Sequence, residues 1–200
     1  VYCCFNEAKK IDPRRFDLWM RLLQQAPNSV LWLYGAQAKL QANLRSRAST
    51  QGVAPERLVF ARRRPKAEHL ERLALADLFL DTDRYNAHTT ASDALWAGLP
   101  LLTCPGEYFP SRVAASLLKA AGLESLVTAT PEAYYALALN LAQTKTKLPK
   151  LRQQLAKLRH SSALFDTTRY TRNLEAGYAM AWARYQQGQK PDTIYVPGGK

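Results

Sequence analysis

Short apolar runs take turns with amphipathic helical stretches along most of this chain, and no other feature constrains its fold as tightly. The runs "VYCCF" (1–5), "SVLWLYG" (29–35), "ERLVFA" (56–61), "LADLFLD" (75–81) and "PLLTC" (100–104) read as strands. Helical patterns lie between them. The first starts at Asp12-Pro13, with the proline at the first helical position, where its missing N–H is no loss, and it aligns Phe16, Trp19, Met20 and Leu23 on one face. Others run over about 37–51, from Pro65 through "KAEHLERLALA", over Thr90–Trp96 and over about 110–121; a short "SLVT" strand and a helix from Pro131 follow. Alternating strands and helices pair in parallel through crossover connections, which puts helices on both faces of one sheet. The strands also lack a clean two-residue polar alternation, as expected of a sheet covered on both sides. The expected fold is α/β, a doubly wound, Rossmann-like, mainly parallel sheet with extra C-terminal helices.

The 200 residues divide on this reading into a Rossmann-like unit over 1–145, helices over 146–188, and a polar tail with proline and glycine over 189–200 that is expected to be flexible. Leu148, Leu151, Leu155 and Leu158 recur at helical spacing, as do Tyr170, Leu174, Tyr178, Trp182 and Tyr185; both stripes are expected to be packing surfaces. Neither a membrane span of about 18 uncharged apolar residues nor a leader with a cleavage site is seen, so a cytoplasmic protein with no membrane partner is expected. Cys3, Cys4 and Cys104 are odd in number and lack metal-ligand spacing, which reads as reduced, buried thiols. A chain that opens at Val1 directly on a buried-looking strand is expected to be part of something longer. The net charge of +12 invites a nucleic-acid reading, but only "ARRRPK" (61–66) is a dense basic cluster and no zinc-finger, helix-turn-helix or RNA-binding aromatic pattern accompanies it. A basic face for an anionic small molecule or an acidic partner fits the charge equally.

In open α/β sheets ligands bind beyond the carboxyl ends of the strands, where helix N-termini expose free N–H groups. Three segments fall there and share one rim: "FNEAKK" after the first strand, "RRRPKAEH" after the third and "DTDRYNAHTT" after the fourth. Thr90-Ala91-Ser92-Asp93 has the spacing of a capping box, with Thr90 as N-cap and Asp93 reaching back to it. His88 and Thr89 lie just before that cap, next to the positive helix end, where an anion is the natural occupant. At this point a capped helix start and an anion site both stand. Lys10 can reach the same rim as a point charge, and His69 sits beside Leu70 on an amphipathic helix, where a partly buried structural histidine is the plainer reading. Glycine-rich dinucleotide and P-loop signatures are absent. The Asp81-Thr82-Asp83 triplet resembles a metal-binding D-x-D element but lies where a strand ends in polar residues, and no metal is assigned to it.

The segments "CFNEAKKIDP", "NSVLWLYG", "RLVFARRRPKAEHL", "LFLDTDRYNAHTTASDALWAGLPLLTCPGEYFPSRVAASLL" and "LFDTTRYTRNLEAGYAMAW" occur in this order and cover nearly the whole chain. Together they resemble the C-terminal half of the catalytic region of O-linked N-acetylglucosamine transferases and the related SPINDLY-type proteins. The resemblance implies half of a two-Rossmann GT-B glycosyltransferase that needs no metal or other cofactor and moves a sugar from a nucleotide diphosphate to protein Ser or Thr. UDP-N-acetylglucosamine (UDP-GlcNAc) is the donor it favours.

Carried onto matching positions, the resemblance makes Lys10 the catalytic residue that offsets charge on the leaving UDP. The Arg64-Pro65-Lys66 turn and His69 would hold uracil and ribose. Thr89 and Thr90 would bind the diphosphate through N–H and hydroxyl groups, His88 would lie by sugar or phosphate, and Asp93 would take the ribose hydroxyls. The implied partners are the nucleotide sugar, an acceptor protein or peptide, and the remainder of a parent chain: its N-terminal catalytic half, on which the C-terminal helices would also pack, and its tetratricopeptide repeats. Without them the segment is expected to transfer nothing.

Three positions depart from the family pattern. Glu7 stands where a glutamine lies close to the phosphate, Arg64 where a small residue meets the base, and Ala87 where a glycine precedes the histidine. A carboxylate at position 7 needs compensation from Lys9, Lys10 or protonation. The alternatives are a GDP-fucose-dependent SPINDLY-type transferase, a catalytically silent nucleotide-binding scaffold and, from charge alone, a nucleic-acid-binding domain touched by Arg62, Arg63 and Arg64.

Overall fold

The computed structural model describes residues 1–197. Its sheet contains β1 (Tyr2–Cys4), β2 (Leu31–Tyr34), β3 (Leu58–Ala61), β4 (Leu78–Leu80) and β5 (Leu101–Leu102), all parallel, in the order β3-β2-β1-β4-β5. Cys3 at the centre pairs with Trp32 on one side and Phe79 on the other. The helices are α1 (Pro13–Gln25), α2 (Ala38–Thr50), α3 (Lys66–Ala74), α4 (Thr89–Trp96), α5 (Val113–Ala120), α6 (Pro131–Gln143), α7 (Lys147–Ser161) and α8 (Thr167–Gln186). Leu31, Leu33, Leu58, Leu78, Phe79, Leu101 and Leu102 have no exposed surface, which is why no polar alternation marks these strands.

Local chemistry sets where the elements start. Asp12 accepts the Arg14 N–H at 2.9 Å in front of Pro13, and Thr130 accepts the Ala133 N–H at 3.1 Å in front of Pro131. The Trp19 indole N–H donates to the Tyr134 hydroxyl at 3.3 Å, locking α1 to α6 inside the core. Gly98, at φ +78°, turns the chain from α4 toward β5 in a conformation that side-chain-bearing residues resist.

From β1 the chain winds outward to β2 and β3, then crosses back to β4 on the other side of β1. The connections after β1 and β4 therefore leave in opposite directions, and a crevice opens between them at the carboxyl edge.

All the expected strands and helices but one are present, with shorter strands. Leu75 caps the end of α3 and lies exposed, so "LADLFLD" contributes only Leu78–Leu80. The expected "SLVT" strand does not form. Glu124–Leu126 is a 3-10 turn, and only an isolated parallel bridge joins Val127 to Thr103. The leucine stripe of α7 packs on the core, with Leu155 buried. The aromatic stripe of α8 does not: no α8 residue is buried, and Tyr178 and Trp182 are 67% and 59% exposed. Its anchor is the preceding corner, where Phe165 meets Trp96 edge-on at 5.1 Å. Residues 191–197 have no regular secondary structure, and residues 198–200 of the expected tail lie outside the described residues. Among the described residues no helix is long and apolar enough to cross a membrane.

Candidate functional site

All three rim segments stand at the carboxyl edge of the sheet, and those after β1 and β4 meet in the crevice. Lys10 closes a 3-10 turn (Ala8–Lys10) and its ammonium donates to the Asn86 carbonyl at 3.0 Å, lying 3.9 Å from the centre of the Tyr85 ring. Burial pulls Lys10 below its usual pKa, opposed by the negative charges of Asp81 and Glu7. Tyr85 in turn stacks on His88 at 4.8 Å, and Phe109 meets His88 edge-on at 6.3 Å. The His88 Nε2 is 3.1 Å from the Pro110 carbonyl, an acceptor, so that nitrogen carries the proton.

The expected capping box is absent. The N-cap position is His88, two residues before Thr90, and no side chain caps the helix; the His88 carbonyl accepts the Ala91 and Ser92 N–H groups at 3.0 and 3.1 Å. Asp93 does not reach back to Thr90 but forms an ion pair with Lys66 of α3. A Lys ammonium offers the carboxylate a stronger partner than a backbone N–H, and it comes from a neighbouring helix that local spacing does not reveal. The first-turn N–H groups of Thr89 and Thr90 have no intrahelical acceptor, as a helix start requires, and they form the positive end of the helix dipole.

On the α3 side, His69 packs edge-on against Phe5 of the β1 end at 5.7 Å, and Arg72 lies over the same Phe5 ring. The Arg72 guanidinium sits 2.6 Å from His69 Nδ1. Burial, then Arg72, lowers the His69 pKa. Arg64 is exposed and pairs with Glu68 at 3.4 Å along the outer side of α3, apart from the Lys66–Asp93 pair. Glu7 pairs with Lys9 at 2.6 Å, and that bond lowers its pKa, so Lys9 supplies the compensation and protonation does not. Lys10, His88, Thr89 and Thr90 thus form one side of the site and Lys66, Asp93 and His69 the other, joined across α3 and α4.

Beneath the crevice lies a buried polar layer that the sequence did not announce. Asn6, Asp81, Thr82, Asn86 and Thr103 come from the ends of β1, β4 and β5 and from the loop before α4, and all are almost fully buried. Burial pushes the Asp81 carboxyl up to about 6, against the pull of the Ala87 N–H and the Thr103 hydroxyl. Asp83 turns the other way to pair with Arg15, which is buried against the Tyr134 ring. The two carboxylates of Asp81-Thr82-Asp83 are therefore engaged separately. The one sequence signal for this layer is that a polar residue follows β4 and β5 immediately and β1 after Phe5.

A crevice with an ammonium and an open helix N-terminus on one side, and an imidazole, a carboxylate and a second lysine on the other, can hold a ligand bearing both phosphate and polar ring groups. The model of glycosyl transferase family 41 matches residues 1–174. The chain belongs to this family. Among its relatives are the probable UDP-N-acetylglucosamine–peptide N-acetylglucosaminyltransferase SEC of Arabidopsis thaliana, 40% identical over 98% of this chain, and the Caenorhabditis elegans UDP-N-acetylglucosamine–peptide N-acetylglucosaminyltransferase, 38% identical over 97%. This family 41 segment spans 20% and 17% of the lengths of those two proteins. A solved mutant of the Thermobaculum terrenum O-GlcNAc transferase superposes with a TM-score of 0.88 at 33% identity, covering 94% of this chain and 36% of its own. The α/β architecture is accordingly that of the GT-B catalytic region of O-GlcNAc transferases.

Proposed function

We propose that this family 41 segment is the donor-binding half of a protein O-GlcNAc transferase, taking UDP-GlcNAc as its nucleotide sugar. The observation that carries the reading is Lys10, held by the Asn86 carbonyl beside the uncapped start of α4 at the β1/β4 switch point. As the anomeric bond breaks, negative charge grows on the leaving diphosphate. The Lys10 ammonium and the Thr89 and Thr90 N–H groups stand fixed to receive it, so the reading needs no metal ion for that charge. His69 and Lys66 take the base and ribose side, Asp93 accepts ribose hydroxyls once its pairing with Lys66 loosens, and His88 stands by the phosphate or sugar. Arg64 enters only through its backbone, since its side chain turns outward.

The relatives are about five times longer than the segment they match, which supports placing acceptor binding and the remaining catalytic groups in the rest of the parent protein. The exposed aromatic face of α8 is the natural seat for part of it.

The test is Lys10→Ala in the full-length protein with an acceptor peptide. Folding is expected to survive while transfer falls roughly a hundredfold or more, the scale of removing one group that stabilises developing charge; unchanged transfer removes Lys10 from the mechanism. Calorimetric titration of UDP against GDP decides the base, and tighter GDP binding replaces the donor assignment.

A further inference from the structure

Asp81 is 1% exposed and cannot touch a ligand in the crevice, yet its carboxylate ties the ends of β1 and β5 to the loop before α4. Its Oδ1 accepts the Ala87 N–H at 2.7 Å and the Asn6 Nδ2 at 3.1 Å, and its Oδ2 accepts the Thr103 hydroxyl at 2.7 Å. The first of these bonds closes the segment 81–87 into a ring. Inside the ring the Thr82 hydroxyl donates to the Tyr85 carbonyl at 2.7 Å and the Asn86 Nδ2 to the Thr82 carbonyl at 2.6 Å. Asn6 braces it from β1 by donating also to the Thr82 hydroxyl at 2.8 Å. The ring presents two things outward. The Asn86 carbonyl takes the Lys10 ammonium, and the residue after Ala87 is His88, whose carbonyl opens α4.

We propose that Asp81 is a positioning residue for sugar transfer: its carboxylate fixes the 82–88 loop so that Lys10 and the N-terminus of α4 converge on one point. This role rests on the function proposed above. The carboxylate accepts from all three partners, and two of them, the Ala87 N–H and the Asn6 amide, can only donate. An asparagine that keeps its oxygen toward Ala87 and Asn6 turns its NH2 to the Thr103 hydroxyl, which must reverse from donor to acceptor, and every bond of the ring loses its charge assistance and is weakened. The charge itself does not serve the fold. Burial disfavours it, no cation pairs with it among the described residues, and the fold would be easier to make without it. What the ionised form supplies is the geometry of the loop.

Three substitutions in the full-length protein test this: Asp81→Asn, Thr103→Val and Thr103→Ser. Neither position touches donor. The readouts are KM and kcat for UDP-GlcNAc, UDP affinity by calorimetry, and amide hydrogen exchange over 82–92. Asp81→Asn is expected to fold, to exchange faster over 82–92 than the rest of the sheet, and to lose about a hundredfold in kcat/KM, the scale of a misplacement of about 1 Å. Thr103→Val is expected to lose roughly tenfold, as for one hydrogen bond to a charged group, and Thr103→Ser to recover it. If Asp81→Asn does not fold, the threonine pair decides alone. Unchanged exchange over 82–92 overturns the role, as does a loosened loop with normal kinetics, or a loss explained wholly by unfolded protein with normal KM and kcat in the folded fraction. An unsubstituted protein that neither binds UDP nor transfers sugar refutes the proposed function first, and this role with it.

Discussion

At the scale of single residues, the chemistry of His69 is fixed by its neighbour. A guanidinium can only donate, so Arg72 at 2.6 Å makes Nδ1 an acceptor and leaves the proton on Nε2, free to bond a carbonyl on a base. Burial and Arg72 both oppose a second proton, and the folded ring titrates below the ordinary 6.5. The sign follows from linkage. Above pH 6.5 the ring is neutral in both states and the contribution to stability is complete; as pH falls, the unfolded chain takes up its proton first and stability is lost. Denaturant unfolding between about pH 5 and 7 should therefore show a steeper loss for the unsubstituted protein than for His69→Asn, and equal slopes would contradict this assignment. Asp81 works in the opposite sense. Its folded pKa of about 6 lies above the unfolded value, so its contribution is complete at low pH and is lost as pH rises toward 6. Cys4 of β1, Lys10 and Tyr134 of α6 are the titratable groups whose charges couple to it. The rim placement of Lys10, His69 and the "HTT" triplet was legible in the sequence because each follows a strand at its carboxyl end. Asp81 was not, since a polar strand end reads as a solvated turn until β5 and α6 are known to cover it.

At the scale of elements, the start of α4 carries the argument. Sequence spacing made it a capped helix, and a capped helix has fewer free donors to offer. The structure leaves the first turn open, because Asp93 has gone to Lys66 and His88 places only its carbonyl in the helix. Filling that turn with a charge should separate stability from binding. Thr89→Glu puts a carboxylate at the first helical position, which is expected to stabilise the helix by about 0.3–1 kcal/mol through the dipole. The same charge repels a diphosphate, and UDP affinity should fall tenfold or more. Thermal unfolding and calorimetry on the full-length protein read the two effects, and undiminished UDP binding would move the phosphate away from α4. The strands were legible as elements, but their ends were not. The start of β4 depends on where α3 stops, at Leu75, and the "SLVT" segment loses its strand to a 3-10 turn that leaves one bridge to Thr103.

At the scale of the whole molecule, α8 is the unfinished part. Its stripe of Tyr170, Leu174, Tyr178, Trp182 and Tyr185 has the period of a packing face. The period was right, but a helical repeat states only that a face is apolar, not which body covers it. Here all five side chains are exposed, while the leucines of α7, read by the same rule, meet the core. A continuous apolar face of this extent is uncommon on a free surface and marks an interface. The segment spans about a fifth of the length of the relatives it matches, and on the function proposed above the rest of a parent protein is the expected partner. In the full-length protein α8 should then exchange its amide hydrogens slowly, and in residues 1–200 alone it should exchange fast while α1 and the sheet stay protected. Trp182→Asp in the full-length protein should speed α8 exchange and weaken its attachment by about 2 kcal/mol or more, the scale of an aromatic interface anchor. The rim, built from β1, β4, α3 and α4, contains no α8 residue among its contacts, so UDP binding should persist in this variant. Equal exchange of α8 in the long and short forms would mean that its aromatic face is met by something other than the parent chain.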